Sequence, residues 1–187
     1  MRARAWHAAI VEDGKMSQNL IRAIADALKL VTANRYFRSE RGFQGQFHVE
    51  LDRLLRDRGL VSSQTLIEEE YQKTIRNHGI SHRPDLIVHI PFEPGLTGSR
   101  REGNVVVFEF KIRGSRLDAV DRFIKLDDYL TALDYPLGVF VNINATRSFV
   151  ELVPDYRIHV FTSIKDQEAV RVSHSYLENE EIVADEF

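Results

Sequence analysis

The segment Asn104–Ile112 constrains the fold of this chain more than any other. Four apolar residues, Val105–Phe108, are followed directly by Glu109, Phe110 and Lys111. The uninterrupted apolar run predicts a strand buried in the core. Because side chains alternate along a strand, Glu109 and Lys111 emerge on one face and Phe110 on the other. A carboxylate and an ammonium at the end of a buried strand are costly to desolvate unless they are paired or bind another group.

A second carboxylate opens the preceding apolar run. Asp85 stands directly before residues 86–90, which predict a neighbouring strand. Two carboxylates and a lysine that converge at a sheet edge suit a hard divalent cation, with an amine beside the reacting water or phosphate. The alternative is a structural ion pair at a strand end, in which Lys111 only neutralises a carboxylate.

The composition is that of one ordinary globular domain. The chain has 187 residues, of which 43% are hydrophobic and 28% charged. Zero cysteines exclude disulfides and thiolate metal sites and favour a cytoplasmic location. No run approaches the roughly 18 apolar residues of a membrane span, so no membrane partner is expected. The net charge of −3 argues against a general nucleic-acid binder, but residues 166–187 alone carry 7 acidic and 1 basic side chains.

Periodicity and breaker residues predict a mixture of helices and strands. The predicted elements are helices from Ser17, over about 46–58 and over about 116–133, and strands at 65–71, 86–90, 104–112, 138–143 and 157–163. Residues 35–45 predict a basic loop or a broken helix. We expect a single domain over residues 1–165, with a helical extension at 1–44. An acidic tail at 166–187 is expected to be a short helix or disordered.

The Pro84-Asp85 pair and the Glu109-Phe110-Lys111 triplet resemble the motif of the PD-(D/E)XK nuclease superfamily, the restriction-endonuclease-like fold. The resemblance covers about residues 45–145. It implies an α/β protein with an αβββαβ core, in which helices flank a mixed central sheet. It also implies a magnesium-dependent nuclease that hydrolyses phosphodiester bonds of DNA as an endonuclease, with Mn²⁺ able to replace Mg²⁺.

The resemblance also assigns roles to individual residues. The expected metal ligands are Asp85, Glu109, Glu50 (directly or through water) and the backbone carbonyl of Phe110. Lys111 is expected to position or help deprotonate the attacking water, and Lys125 and Tyr129 to hold a scissile-strand phosphate or orient the active site. The expected phosphate contacts of the flanking chain are Arg100, Arg101, Arg113, Arg116 and Arg122.

Other interpretations of these residues stay open. Glu50 lies at the border of an apolar helix stripe and is equally compatible with a surface pair to Arg53 or Arg56. Within the same fold, the chain could be a structure-specific resolvase or repair nuclease, or a catalytically silent nucleic-acid-binding or assembly protein. The resemblance also allows a homodimer, with one site for each DNA strand.

Overall fold

The computed structural model of the protein describes residues 14–69, 82–92, 99, 101–167 and 169–187. These residues form an α/β structure, as expected, with seven strands in one mixed sheet. The α-helices are α1 (Gly14–Leu30), α2 (Glu40–Asp57) and α3 (Arg116–Leu133), and short 3-10 helices lie at Tyr36–Arg38 and Val150–Leu152. The strands are β1 (Leu66–Glu69), β2 (Leu86–His89), β3 (Asn104–Ile112), β4 (Gly138–Ile143), β5 (Ile158–Lys165), β6 (Val170–Glu178) and β7 (Glu181–Glu186). None of the helices in the described part of the chain is long and apolar enough to cross a membrane.

The strands lie in the sheet in the same order as in the chain. Strands β1, β2 and β3 pair antiparallel, β3, β4 and β5 pair parallel, and β5, β6 and β7 pair antiparallel. From α2 to β4 the elements run helix, three strands, helix, strand. The carboxyl ends of the parallel strands β3, β4 and β5 therefore meet at one edge of the sheet.

A hydrophobic core lies on each face of the sheet, and β3 lies between the two cores. Its two faces pack against different helices. On one face, Phe47 of α2 contacts Phe108 and Phe110, with ring centroids 5.4 and 5.5 Å apart. On the other face, Val107 belongs to the core that α3 covers through residues such as Phe123. Helices α1 and α2 thus cover one face and α3 the other.

Helix α2 begins at Glu40, several residues before the start predicted from the sequence. The side chain of Ser39 caps it by accepting a hydrogen bond from the backbone N–H of Gly42 at 3.1 Å. Buried Phe43 extends the apolar stripe into this first turn, so burial stabilises a segment that its basic residues had marked as a loop. The helix ends as predicted, with Gly59 at φ +64 just beyond it.

The predicted start of the first helix is also wrong, because α1 already includes Gly14 and Ser17 lies inside it. A larger difference is at the C-terminus. Residues 170–186 form neither a helix nor a disordered tail but the hairpin β6–β7, joined through Asn179 and Glu180 at positive φ. Val172 on β6 is buried against the α1–α2 side of the sheet. The acidic side chains favoured a tail in the sequence, although the apolar residues of β6 recur at every second position, as in a strand.

Candidate functional site

Strand β3 extends past the beginning of β2, and this leaves part of its edge open. The register between the two strands pairs Leu86 with Phe108 as its last pair, so residues 109–112 continue alone on that side. Two carboxylates occupy the open edge. Asp85 Oδ2 accepts a hydrogen bond from the Phe110 N–H at 2.8 Å, and Glu40 Oε2 accepts one from the Ile112 N–H at 3.2 Å. Continuing the register places Asp85 directly beside Glu109.

Glu109 points from β3 toward α3 and is completely buried. Arg122 donates a hydrogen bond from Nη1 to its Oε2 at 3.1 Å. The hydroxyl of Tyr129, also buried, lies 3.5 Å from its other oxygen. The two helical residues are seven positions apart on α3, which places them two turns apart on one helix face. Tyr129 thus lies beside a strand carboxylate, and its expected role in holding a phosphate or orienting the active site stays a prediction.

The pKa values of both carboxyl groups are raised above their ordinary values. Burial, and then the nearby Asp85, raise the pKa of Glu109 to about 8, although Arg122 and Lys125 act in the opposite direction. Burial also raises the pKa of Asp85, against the Phe110 hydrogen bond and Arg122, while Glu40 adds to the increase. Both groups therefore resist carrying their full negative charge without a further cation. Two mutually repelling carboxyl groups of this kind are typical of functional sites.

Lys111 does not neutralise Glu109. Its Nζ atom lies 3.8 Å from Asp118 Oδ1 on the first turn of α3, whereas Arg122 is the ion-pair partner of Glu109. A simple Glu109–Lys111 pair at the strand end is thus not what the structure forms. Lys125 binds Asp121 at 2.9 Å and is still close enough to lower the pKa of Glu109.

The carbonyl of Phe110 lies on the same open edge. In a strand, the N–H and C=O of one residue point toward the same neighbouring strand. The Phe110 N–H donates to Asp85, so its carbonyl also points to the Asp85 side. Asp85, Glu109 and this carbonyl are consequently the oxygen donors that β2 and β3 bring together.

The carboxylate that α2 contributes to this edge comes from Glu40, whereas the sequence predicts Glu50 for this role. Glu50 lies ten residues further along α2, about 15 Å along the helix axis. Its oxygens contact Gln46 at 3.0 Å and Arg53 at 3.1 Å, which is the surface pairing considered as its alternative. The structure does not join Glu50 to Asp85 or Glu109 by any contact among the described residues, and its role as a ligand stays a prediction.

The five arginines expected to bind phosphate are not equally placed. Arg113 and Arg116 are exposed at the end of β3 that carries the carboxylates, and Arg122 lies inside the cluster. Burial opposes the charge of Arg122, yet Glu109, Asp85 and Glu40 hold its pKa above the ordinary value. Arg101 precedes Asn104 at the opposite end of β3, and Asn104 is already about 17 Å from Glu109 at 3.3 Å per residue. Arg100 lies outside the described residues.

The donor chemistry at the β3 edge fits a hard cation. In the described part of the chain, no three Asp, Glu or His side chains form a group that could hold a metal ion by themselves. Magnesium in proteins commonly uses one or two carboxylates and completes its shell with water and substrate phosphate. Asp85, Glu109 and the Phe110 carbonyl supply such a partial set.

Two further residues of this region, Glu40 and Asn142, are not among those predicted from the sequence. Glu40 follows a serine and precedes the apolar positions Phe43 and Phe47, a spacing that signals a capped helix start. Asn142, a polar residue inside the apolar strand β4, is fully buried and pairs in register with Lys111. A buried amide in a core strand is itself a signal, because it requires hydrogen-bond partners.

Searches against protein-family models, curated proteins and solved structures find no significant match to this chain.

Proposed function

We propose that the protein is a metal-dependent nuclease of the PD-(D/E)XK type that hydrolyses phosphodiester bonds of DNA. The observation that carries this proposal is the open edge of β3, where Asp85 lies beside buried Glu109 and Lys111 follows two residues later. The succession of α2, β1–β3, α3 and β4, with β3 and β4 parallel, supports a restriction-endonuclease-like core.

In this proposal Asp85, Glu109 and the Phe110 carbonyl hold Mg²⁺ or Mn²⁺. The cation would polarise a non-bridging phosphate oxygen and lower the pKa of a bound water. We assign the supporting carboxylate of α2 to Glu40 in place of Glu50, because Glu40 contacts the same strand edge. Glu40 also influences the charges of Asp85 and Arg122.

The remaining residues act on charge and orientation. Lys111 leaves β3 on the face of Glu109 and offers an ammonium that offsets the charge developing on the phosphate. Arg122 compensates the buried negative charge of Glu109, and the Tyr129 hydroxyl orients the same carboxylate. Lys125 is close enough to both carboxyl groups to shift their pKa values and provides a second positive charge for a phosphate.

Nicking of supercoiled plasmid in Mg²⁺, Mn²⁺ or EDTA tests the proposal. Wild-type protein should nick the plasmid only with a divalent cation, and Lys111→Ala and Asp85→Asn should each abolish the activity. Asparagine preserves the acceptor for the Phe110 N–H but removes the charge. Lys29→Ala on α1 is the matched control for loss of a lysine and should remain active. Activity that survives both site substitutions would refute the site.

The same proteins separate the alternatives within the fold. Preferential cleavage of a four-way junction over linear duplex would identify a structure-specific resolvase or repair nuclease. A catalytically silent protein would bind DNA but would cleave neither substrate with any of the cations.

A further inference from the structure

Asn142 on β4 connects the two loops that follow β3 and β4. Its Oδ1 accepts a hydrogen bond from the Gly114 N–H at 2.8 Å, and its Nδ2 donates one to the Arg147 carbonyl at 3.0 Å. The side chain is fully buried, so each of these bonds would leave an unsatisfied polar group if it were lost. Asn142 therefore holds residues 113–115 and 144–149 against each other.

The same contact includes Lys111. Strand register places Lys111 directly beside Asn142, and Gly114 packs between them. A Cβ atom at Gly114 would lie 3.1 Å from both Lys111 Cγ and Asn142 Oδ1, which is closer than ordinary van der Waals contact. The position of the Lys111 stem is thus coupled to the Gly114 loop and, through it, to Asn142.

Both loops contain residues whose backbone conformation is unusual for side chains other than glycine. Three of their non-glycine residues have left-handed φ angles, Arg113 at 51°, Asn144 at 55° and Phe149 at 60°. Asparagine tolerates this region, but for Arg113 and Phe149 it is unfavourable, and such residues concentrate at functional sites. The neighbourhood of Lys111 is therefore held in a defined shape at an energetic cost.

This shape presents two exposed arginines at the carboxyl ends of β3 and β4. When the Asn144 amide is oriented with its oxygen toward Arg113, it accepts hydrogen bonds from Nε at 3.2 Å and Nη2 at 3.0 Å. The guanidinium of Arg147 lies over the ring of Phe149, 5.2 Å from its centroid. Both guanidinium groups are thereby restrained while they remain accessible to a ligand.

We propose that residues 113–115 and 144–149 form one ledge, positioned by Asn142, that fixes Lys111 and binds phosphates of the nucleic-acid strand through Arg113 and Arg147. The inference rests on the proposed nuclease function and adds the path that the substrate backbone takes over the protein. The substrate backbone leaves the β3 edge across the ends of β3 and β4. Guanidinium groups suit this role because their planar donors match phosphate oxygens in pairs.

The arginines are tested by their effect on salt dependence. Binding of a labelled DNA duplex is measured by fluorescence anisotropy in EDTA at several salt concentrations for wild type and for Arg113→Ala/Arg147→Ala. Each phosphate contact contributes about 0.9 to the slope of log K against log salt, so the double variant should lose about 2 from the slope. Arg22→Ala, an exposed arginine of α1 on the other side of the sheet, should lose much less. Equal slopes for the double variant and the control would overturn the ledge.

Asn142 is tested through catalysis, because a positioning residue changes kcat more than KM. Asn142→Ala should lower kcat roughly 10-fold or more, since a small displacement of Lys111 is sufficient for such a loss. Its KM and salt slope should stay close to those of the wild type, whereas the arginine variant should raise KM and keep kcat. Thermal unfolding shows whether Asn142→Ala folds. If it does not fold, the salt dependence of the Arg113→Ala/Arg147→Ala variant tests the ledge alone. A folded Asn142→Ala protein with wild-type kcat would refute the positioning role.

The outcomes distinguish this inference from the proposed function. Cleavage by wild type with an unchanged slope in the arginine variant would refute the ledge and leave the nuclease intact. Salt-dependent binding that the arginines control, without cleavage under any condition, would support the ledge and refute the nuclease. Failure of wild type to bind DNA would refute both.

Discussion

Replacing Glu109 by glutamine should stabilise the metal-free protein, and the gain should grow as the pH rises. Glu109 is completely buried, and its pKa is raised from 4.5 to about 8 by burial and by the neighbouring Asp85. In the unfolded chain the same carboxyl group ionises near its ordinary value. The folded protein therefore retains a proton over a pH range in which the unfolded chain has already lost it.

The sign follows from linkage between protonation and folding. A group with a raised folded pKa contributes its full stability below the unfolded pKa of 4.5, and this contribution is lost as the pH rises through about 8. At 1.36 kcal/mol for each pKa unit, the wild type should lose about 3 kcal/mol between pH 5 and pH 8 through this residue. Glutamine has the same shape but no proton to lose. The attraction between Arg122 and the ionised carboxylate is already included in the pKa of about 8, so it adds no separate contribution to the pH dependence.

Urea unfolding followed by circular dichroism in EDTA at pH 5, 6, 7 and 8 measures the effect. The free energy of unfolding of Glu109→Gln minus that of wild type should increase by about 3 kcal/mol across the series, a large part of the stability of a small domain. Glu151→Gln, at an exposed position of the second 3-10 helix, is the matched control and should show no trend. A difference that does not vary with pH would refute the reasoning about Glu109.

Two further predictions concern stability alone. Gly103→Ala should destabilise the protein by about 2 kcal/mol or more, because the new Cβ would lie 2.1 Å from the Ile90 carbonyl oxygen; Gly45→Ala, with open space around it, is the control, and equal melting temperatures would contradict the clash. On the acid side, burial lowers the pKa of His159 to about 3 and that of His174 to about 4. Their stabilising contribution is present above the unfolded pKa near 6.5 and is lost as the pH falls toward these values, so His159→Phe should flatten the decrease in stability between pH 6.5 and 4. Urea unfolding at pH values between 6.5 and 4 measures this decrease. The same decrease in His159→Phe and in wild type would show that His159 is not responsible.

Arg122 balances the buried charge of Glu109, a role that was not expected from the sequence. Arg122 was expected to contact nucleic acid, and in the structure it forms an ion pair with Glu109 and has 17% of its side chain exposed. A guanidinium with a buried carboxylate partner is poorly available for phosphate unless that carboxylate gains another cation. In the proposed nuclease, a bound metal would supply that cation.

Local signals in the sequence were sufficient to predict the bounds of the central elements of the fold. The bounds of β3, α3 and β4 agree with the structure, because an apolar run, a capping serine and a proline each act within a few residues. Alternation along β3 also correctly placed Glu109 and Lys111 on one face. The pairing of Asp85 with the end of β3 followed from two adjacent apolar runs, since consecutive strands tend to be neighbours.

Tertiary structure alone decided which other residues lie beside Asp85, Glu109 and Lys111. Glu40 contacts the backbone of Ile112 across 72 positions of the chain, and no local pattern encodes such a contact. Asn142 interrupts an apolar strand in the sequence, and only the register between β3 and β4 places it beside Lys111. The acidic C-terminal segment became β6 and β7 because β5 offered an edge on which its alternate apolar side chains could be buried. Local propensity and side-chain period are properties of the chain, whereas register and helix placement depend on which surfaces pack together.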